Sequence, residues 1–189
     1  MIAVRDAKLA DAEAMARIQV AGWTTAYASF IPDRIPASYS VDVRRSEWQK
    51  RLAEPVPATV NLVALEGAQI LGICGGGPPL RDETIIEGNT DVYTAQVYGL
   101  YVAPDHYGRG IGRLLLGRLA ARLAASGHRN LCLWAFELNA YRGFYDRLGG
   151  KAEARAVWHV GDTVIREMAY GWADIGELIE ACLNEVKTE

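Results

Sequence analysis

The segment from Val92 to Ser126 constrains this chain more than any other. It reads as a strand, roughly Val92 to Val102, stopped by Pro104 because proline cannot donate to a ladder. Glycines follow at positions 108, 110 and 112, and a helix is predicted from Gly110 to Ser126. Its Ile111, Leu115, Leu119 and Leu123 recur every four residues, and Leu114 and Leu116 widen the apolar face. Arg113, Arg118 and Arg122 lie elsewhere on the helix, and Gly127 is a natural C-terminal stop. Backbone N–H groups at such a helix start have no intrahelical partner, and the helix dipole stands behind them, so they form an anion site. Glycine lets phosphate oxygens approach the backbone with no Cβ in the way, and Arg109 and Arg113 add cationic donors.

Two familiar phosphate loops fit this turn badly. A P-loop ends in Gly-Lys-Ser/Thr, whereas here Gly112-Arg113-Leu114 stands. A dinucleotide loop needs a third glycine where Arg113 lies. A helix start with no ligand is the plain alternative, but three spaced glycines then cost backbone entropy with no packing return.

Around this segment the chain reads as alternating short elements. Met1 to Arg5 is a strand, Lys8 to Gly22 a helix with Leu9, Ala12, Met15 and Ile18 on one face, and Trp23 to Phe30 an aromatic stretch broken up by Pro32 and Pro36. Ser40 caps a second helix to Leu52, ended by Pro55 and Pro57. Val60 to Leu65 and Gln69 to Cys74 form a hairpin around Glu66-Gly67-Ala68. Residues 78–91 are a polar connection with Asp82, Glu83, Glu87 and Asp91. After the central helix come a strand from Asn130 to Phe136, a short helix from Asn139 to Leu148, and strands Ala152 to Trp158 and Thr163 to Tyr170 joined at Gly161-Asp162. An amphipathic helix from about Ala173 to Val186 closes the order. The expectation is one domain over residues 1–189, an α/β (α+β) fold with a mixed sheet and helices on both faces.

Composition removes several function classes. Net charge is -3, from 20 basic and 23 acidic residues, which argues against a nucleic-acid partner held by phosphate neutralisation. The three cysteines have no paired spacing, and His128 and His159 have no ligand partners nearby in sequence, so neither a disulfide framework nor a metal is expected. Arg5, Asp6 and Lys8 spoil a signal peptide, and no 18-residue apolar run suggests a membrane span. A cytoplasmic location is the expectation.

Two motifs are more specific. Val102-Ala103-Pro104-Asp105-His106-Tyr107-Gly108-Arg109-Gly110-Ile111-Gly112-Arg113 resembles the acetyl-CoA motif of the GNAT superfamily of N-acetyltransferases, Arg/Gln-x-x-Gly-x-Gly/Ala after a strand. Asn139 followed by Phe144-Tyr145-Asp146-Arg147-Leu148-Gly149 resembles the family's later motif. The stretch from Trp23 to Tyr27 is similar to a Trp-x-x-x-Tyr opening in one subgroup. The resemblance implies a mostly antiparallel sheet, with the C-terminal helix as an addition to it.

It also implies roles. Leu100, Tyr101 and Val102 would hydrogen-bond the pantetheine arm through their backbone, and the N–H groups of Gly108, Arg109, Gly110, Ile111, Gly112 and Arg113 would hold the pyrophosphate. Asn139 would contact the cofactor arm, and Tyr145 would act as general acid at the thioester sulfur. Tyr107 stands where the family has Arg or Gln, which leaves it a backbone contact to the cofactor and no family side-chain role. A backbone N–H near Tyr101 or Val102 would stabilise the oxyanion.

The implied activity is acetyl transfer from acetyl-CoA to a small amine, by direct attack on the thioester and without a metal. Alternatives are a protein or peptide acceptor, another acyl group, or a non-catalytic acyl-CoA sensor. The family's basic Glu corresponds to Gln96, which leaves Glu137, His106 or ordered water beside the acidic segment to take the amine's proton. Trp23, Tyr27 and Phe30 would line the acceptor pocket with Tyr98 and Trp134, or else staple the first helix to the sheet. The stripe Leu178, Ile179, Cys182 and Val186 would close the domain or pack on a second subunit as a homodimer.

Overall fold

The computed structural model describes residues 1–27, 30, 39–80, 84–160 and 163–184. Pro32, Pro36, Asp82, Glu83, the turn at Gly161-Asp162 and Val186 lie outside the described residues. Eight strands form one sheet: β1 (Ile2–Asp6), β2 (Val60–Glu66), β3 (Gln69–Gly77), β4 (Thr84–Gly88), β5 (Gln96–Val102), β6 (Leu131–Phe136), β7 (Lys151–Val160) and β8 (Thr163–Trp172). Their order across the sheet is β1-β2-β3-β5-β6-β8-β7-β4. Every neighbouring pair is antiparallel except β5 and β6.

Helices cover both faces because successive strand residues point to opposite sides. On one face α1 (Ala12–Tyr27) and α2 (Val41–Ala53) pack Met15, Ala16, Ile18 and Trp48 onto Val63 and Ile73. On the other, α3 (Ile111–Ala125) and α5 (Ile175–Leu183) bury Leu115, Leu119, Leu178 and Cys182 against Leu62 and Cys74. The apolar stripe of the last helix therefore closes the fold against α3, and Leu178 is fully buried. The short α4 (Gly143–Arg147) precedes β7.

Several elements differ from expectation. The first helix begins as a 3-10 turn, Leu9–Asp11, and runs on through the aromatic stretch to Tyr27 because Trp23 is buried there. Thr84–Gly88, expected within a polar connection, pairs with β7 as an exposed edge strand, so its residues lack the burial that makes a strand readable. The expected strand from Val92 starts at Gln96, and the helix expected from Asn139 is helical only from Gly143.

The entry into α1 is fixed by Asp11. It accepts from Arg5 at 2.6 and 3.0 Å and from the Lys8 backbone N–H at 2.7 Å. The hydrogen bond from Arg5 holds its carboxyl below the ordinary carboxylate range. A lowered native value contributes stability that is present above the unfolded value and lost as pH falls through the native one. Asp11→Ala should therefore lower stability by about 1–2 kcal/mol at neutral pH. The gap should close in acid, as urea denaturation at neutral and acidic pH would read.

Candidate active site

The cleft is opened by a break in the sheet. β5 and β6 run parallel but pair only at Gln96 with Cys132 and Val97 with Leu133. At that point the β3–β5 register shifts, with Gly76 opposite Val97 and Gly75 opposite Gly99, so Tyr98 is a bulged residue. A bulge bends its strand, and here it carries β5 away from β6. A Cβ on Gly77 would lie 2.7 Å from the Tyr98 hydroxyl, so the glycine makes room for the bulge. The Tyr98 hydroxyl donates to the Pro78 carbonyl at 2.6 Å and pins it.

Between the parted strands lies a cavity of about 650 Å³ that reaches from the glycine turn to Tyr27 and Trp134. It lies between the carboxyl-terminal halves of two parallel strands, beyond their last paired residues Val97 and Leu133. Past the bulge the β5 edge facing β6 is unpaired. Ala103 donates to Leu71, so alternation along an antiparallel ladder turns the Tyr101 N–H toward β3. The N–H and C=O groups of Leu100 and Val102 face the cleft instead. Of the two positions expected to hold an oxyanion donor, Tyr101 and Val102, only Val102 turns its N–H to the cleft.

At the outer end, Gly108 and Gly110 have φ of 77 and 75°, a left-handed backbone that suits glycine. Gly110 is the N-cap of α3, and no side chain caps that end. The first helical bond runs from Leu114 to Gly110, which leaves the N–H groups of Ile111, Gly112 and Arg113 as the helix's orphan donors. Tyr107, Gly108, Gly110 and the first α3 residues through Arg113 all line the cleft. Arg109 does not, because its guanidinium grips Glu66 at 3.0 and 3.1 Å and meets His106 Nδ1 at 2.9 Å. Arg147 of α4 lines the cleft as a second cation that sequence reading missed, because its helix is too short to show a face.

At the inner end stand tyrosines. Tyr145 lines the cleft, packs on Phe144 and Tyr170, and makes no hydrogen bond through its hydroxyl to another described residue. Burial pushes its phenol well up, so it is a neutral proton donor at ordinary pH. Tyr27, Tyr98 and Trp134 line the cleft. Trp23 does not: it is buried, stacks on Tyr39 at 4.4 Å and meets Tyr27 edge-on, and with Phe30 it belongs to the cluster around Phe136. Trp23 and Phe30 are thus the staple of α1, and Tyr27 is the member that faces the cavity.

Asn139 is buried and occupied on both sides. Its Oδ1 accepts from the Tyr141 N–H at 2.9 Å and its Nδ2 donates to the Tyr27 hydroxyl at 3.1 Å. Of the candidate bases, His106 lines the cleft with its Nδ1 2.9 Å from Arg109, and Glu137 is ion-paired; Gln96, in the place of the family's Glu, is also engaged. Gln96 Oε1 holds the Leu80 N–H at 2.9 Å, and Glu137 and Glu87 share Arg155. Among the described residues no carboxylate lines the cleft, no cluster of three metal-ligating side chains occurs, and no helix is long and apolar enough to cross a membrane.

The model of the acetyltransferase (GNAT) domain matches residues 57–149, which hold both the parted strands and the glycine turn. The chain belongs to the GNAT superfamily. As a GNAT protein it is an acyltransferase. It is 25% identical, over 94% of its length and 96% of the relative's, to an uncharacterized N-acetyltransferase of Bacillus subtilis, YuaI. It is 30% identical over 92 residues to the ribosomal protein bS18-alanine N-acetyltransferase of Haemophilus influenzae, covering 48% of this chain and 53% of that protein. The fold is that of PaiA N-acetyltransferase of Thermoplasma acidophilum in complex with coenzyme A, at 19% identity, TM-score 0.63 and coverage of 88% and 98%. YncA of Salmonella typhimurium, solved with acetyl-CoA, matches at 22% identity and TM-score 0.65 over 92% and 94%.

Proposed function

We propose that this GNAT chain transfers an acetyl group from acetyl-CoA to a primary amine by direct attack on the thioester. One observation carries the reading: an uncapped helix N-terminus and a partly buried tyrosine line the two ends of one cleft. The orphan N–H groups of α3 bind the pyrophosphate, with Arg113 beside them. The cleft-facing edge at Leu100 and Val102 pairs with the amides of the pantetheine arm, which runs where a strand would have continued the sheet. Tyr145, kept protonated by burial, supplies a proton to the departing sulfur and regains one from the attacking amine through ordered water. The solved relatives holding coenzyme A or acetyl-CoA support this choice of donor.

The acceptor enters from the side of Tyr27, Tyr98 and Trp134, an aromatic wall that suits an amine with an apolar body. A protein N-terminus, the acceptor named for the Haemophilus relative, is the second reading. The test is thiol release against a panel of amines, amino acids and peptides. Release with small aromatic or aliphatic amines supports the first reading, and release only with peptides the second. Tight acetyl-CoA binding with no release from any acceptor would make the protein a sensor.

Tyr145→Phe should leave coenzyme A affinity intact and lower turnover at least about tenfold. Steady-state kinetics with calorimetric titration of coenzyme A would read both, and unchanged turnover would remove Tyr145 from the mechanism.

A further inference from the structure

Hydrogen-bond accounting at Asn139 points to a second hydroxyl at the reacting end of the cleft. The Tyr141 N–H can only donate, so the Asn139 atom it meets is the amide oxygen. The other atom, Nδ2, is then a donor, and the Tyr27 oxygen 3.1 Å away is its acceptor. Tyr27 keeps its own O–H proton for something else. Among the described residues that hydroxyl donates to nothing, although the ring is fixed by Phe136 at 4.8 Å and Trp23 at 5.6 Å. A desolvated hydroxyl without an acceptor is costly unless a ligand completes it. Tyr27 lines the same cavity as Tyr145 and the β5 edge.

We propose that Tyr27 is a catalytic hydrogen-bond donor. Its hydroxyl, aimed by Asn139, donates to the acyl oxygen of acetyl-CoA and, with the cleft-facing N–H of Val102, stabilises the negative charge that develops there. Burial, with Tyr101, Tyr145 and Glu167 nearby, opposes the phenolate, so the group stays a donor throughout the working pH range. This role rests on the acetyl-transfer reading and adds a member to its machinery. It also gives Asn139 a task other than the expected contact with the cofactor arm: it is a positioning residue.

The test separates hydroxyl from ring. Tyr27→Phe keeps the packing on Phe136 and Trp23 and removes only the donor. It should lower kcat about tenfold to a hundredfold at unchanged KM for acetyl-CoA. Independently of turnover, the carbonyl stretch of bound carbonyl-13C acetyl-CoA, read by difference infrared spectroscopy, should move up toward its solution frequency in Tyr27→Phe. Asn139→Asp gives a signature that packing alone would not. It keeps the acceptor for Tyr141 but puts a second acceptor against Tyr27, which would turn its proton away from the cleft. That variant should shift the carbonyl band as Tyr27→Phe does, with coenzyme A affinity retained. A carbonyl frequency in Tyr27→Phe equal to that of the unmodified protein would overturn the proposal, as would losses in coenzyme A affinity and melting temperature that match the loss in kcat. Absence of turnover with every amine would sink the acetyl-transfer reading, while the infrared result would still judge Tyr27.

Discussion

Gly110→Val should bind acetyl-CoA at least about a hundredfold more weakly than the unmodified chain, a loss of about 2.8 kcal/mol. Gly110 has φ of 75°, a conformation that costs an L-residue about 1–2 kcal/mol and a β-branched one more. A Cβ there meets no atom within 4 Å, so nothing in the protein offsets that strain. The chain can relieve it only by leaving the left-handed region, which re-aims the N–H groups of Ile111, Gly112 and Arg113. If the turn holds, the new methyls stand in the space the phosphate oxygens need. Two residues away the outcome is opposite. A Cβ on Gly112 makes ordinary contacts of 3.7–3.9 Å with Phe144, Val102 and Leu100, and Ala is favoured over Gly inside a helix by about 1 kcal/mol. Gly112→Ala should melt higher and keep its affinity within a few-fold. Calorimetric titration with thermal melts would compare the pair. Equal affinity in Gly110→Val would mean that the backbone of this turn does not hold the ligand.

The turn and its helix were legible because both are local. Left-handed glycines and a four-residue apolar repeat leave their marks within one stretch of sequence. The second motif was legible for the same reason, since Asn139 and Tyr145 lie within seven residues of one another, at and just before α4. What the sequence hid was set by distant partners. Arg109 read as a phosphate ligand, but Glu66, across the β2–β3 turn, takes its guanidinium. Trp23 read as pocket wall or staple, and only the stacking partner Tyr39 decides it. The strand Thr84–Gly88 has no buried face, so no periodicity could reveal it. Tyr27 was visible as an aromatic on a helix, but its hydrogen bond to Asn139 joins residues 112 positions apart. The bulge at Tyr98 that parts β5 from β6, and so makes the cleft, exists only in the register of the two strands beside it.

The second large effect lies in α5, the helix packed against the one that carries the turn. Leu178→Ala should lower stability by about 2–5 kcal/mol, the range for emptying a fully buried leucine site. For a chain of this length, each kcal/mol corresponds to about 2–4 °C in melting temperature. The site cannot easily collapse, because α3 and α5 are already in tight contact at Gly117. A Cβ there would stand 2.5 Å from the Cys182 Cβ and 2.8 Å from the Leu183 side chain. Two helices this close have no slack with which to fill a void left by Leu178. The same geometry separates the two expected uses of the apolar stripe. If it only closed the fold, Leu178→Ala would lower the melting temperature at unchanged molecular mass. If it also held a second subunit, the midpoint would depend on protein concentration and the variant would lose mass in sedimentation. The burial of Leu178 and Cys182 against α3 favours the first outcome. Because α3 also presents the orphan N–H groups at its other end, loosening α5 should weaken acetyl-CoA binding only modestly. The N-terminal turn of α3 is braced separately, by Ile111 and Leu115 against β3 at Gly72. A loss of affinity as large as that in Gly110→Val would show instead that the two ends of α3 move as one rigid rod.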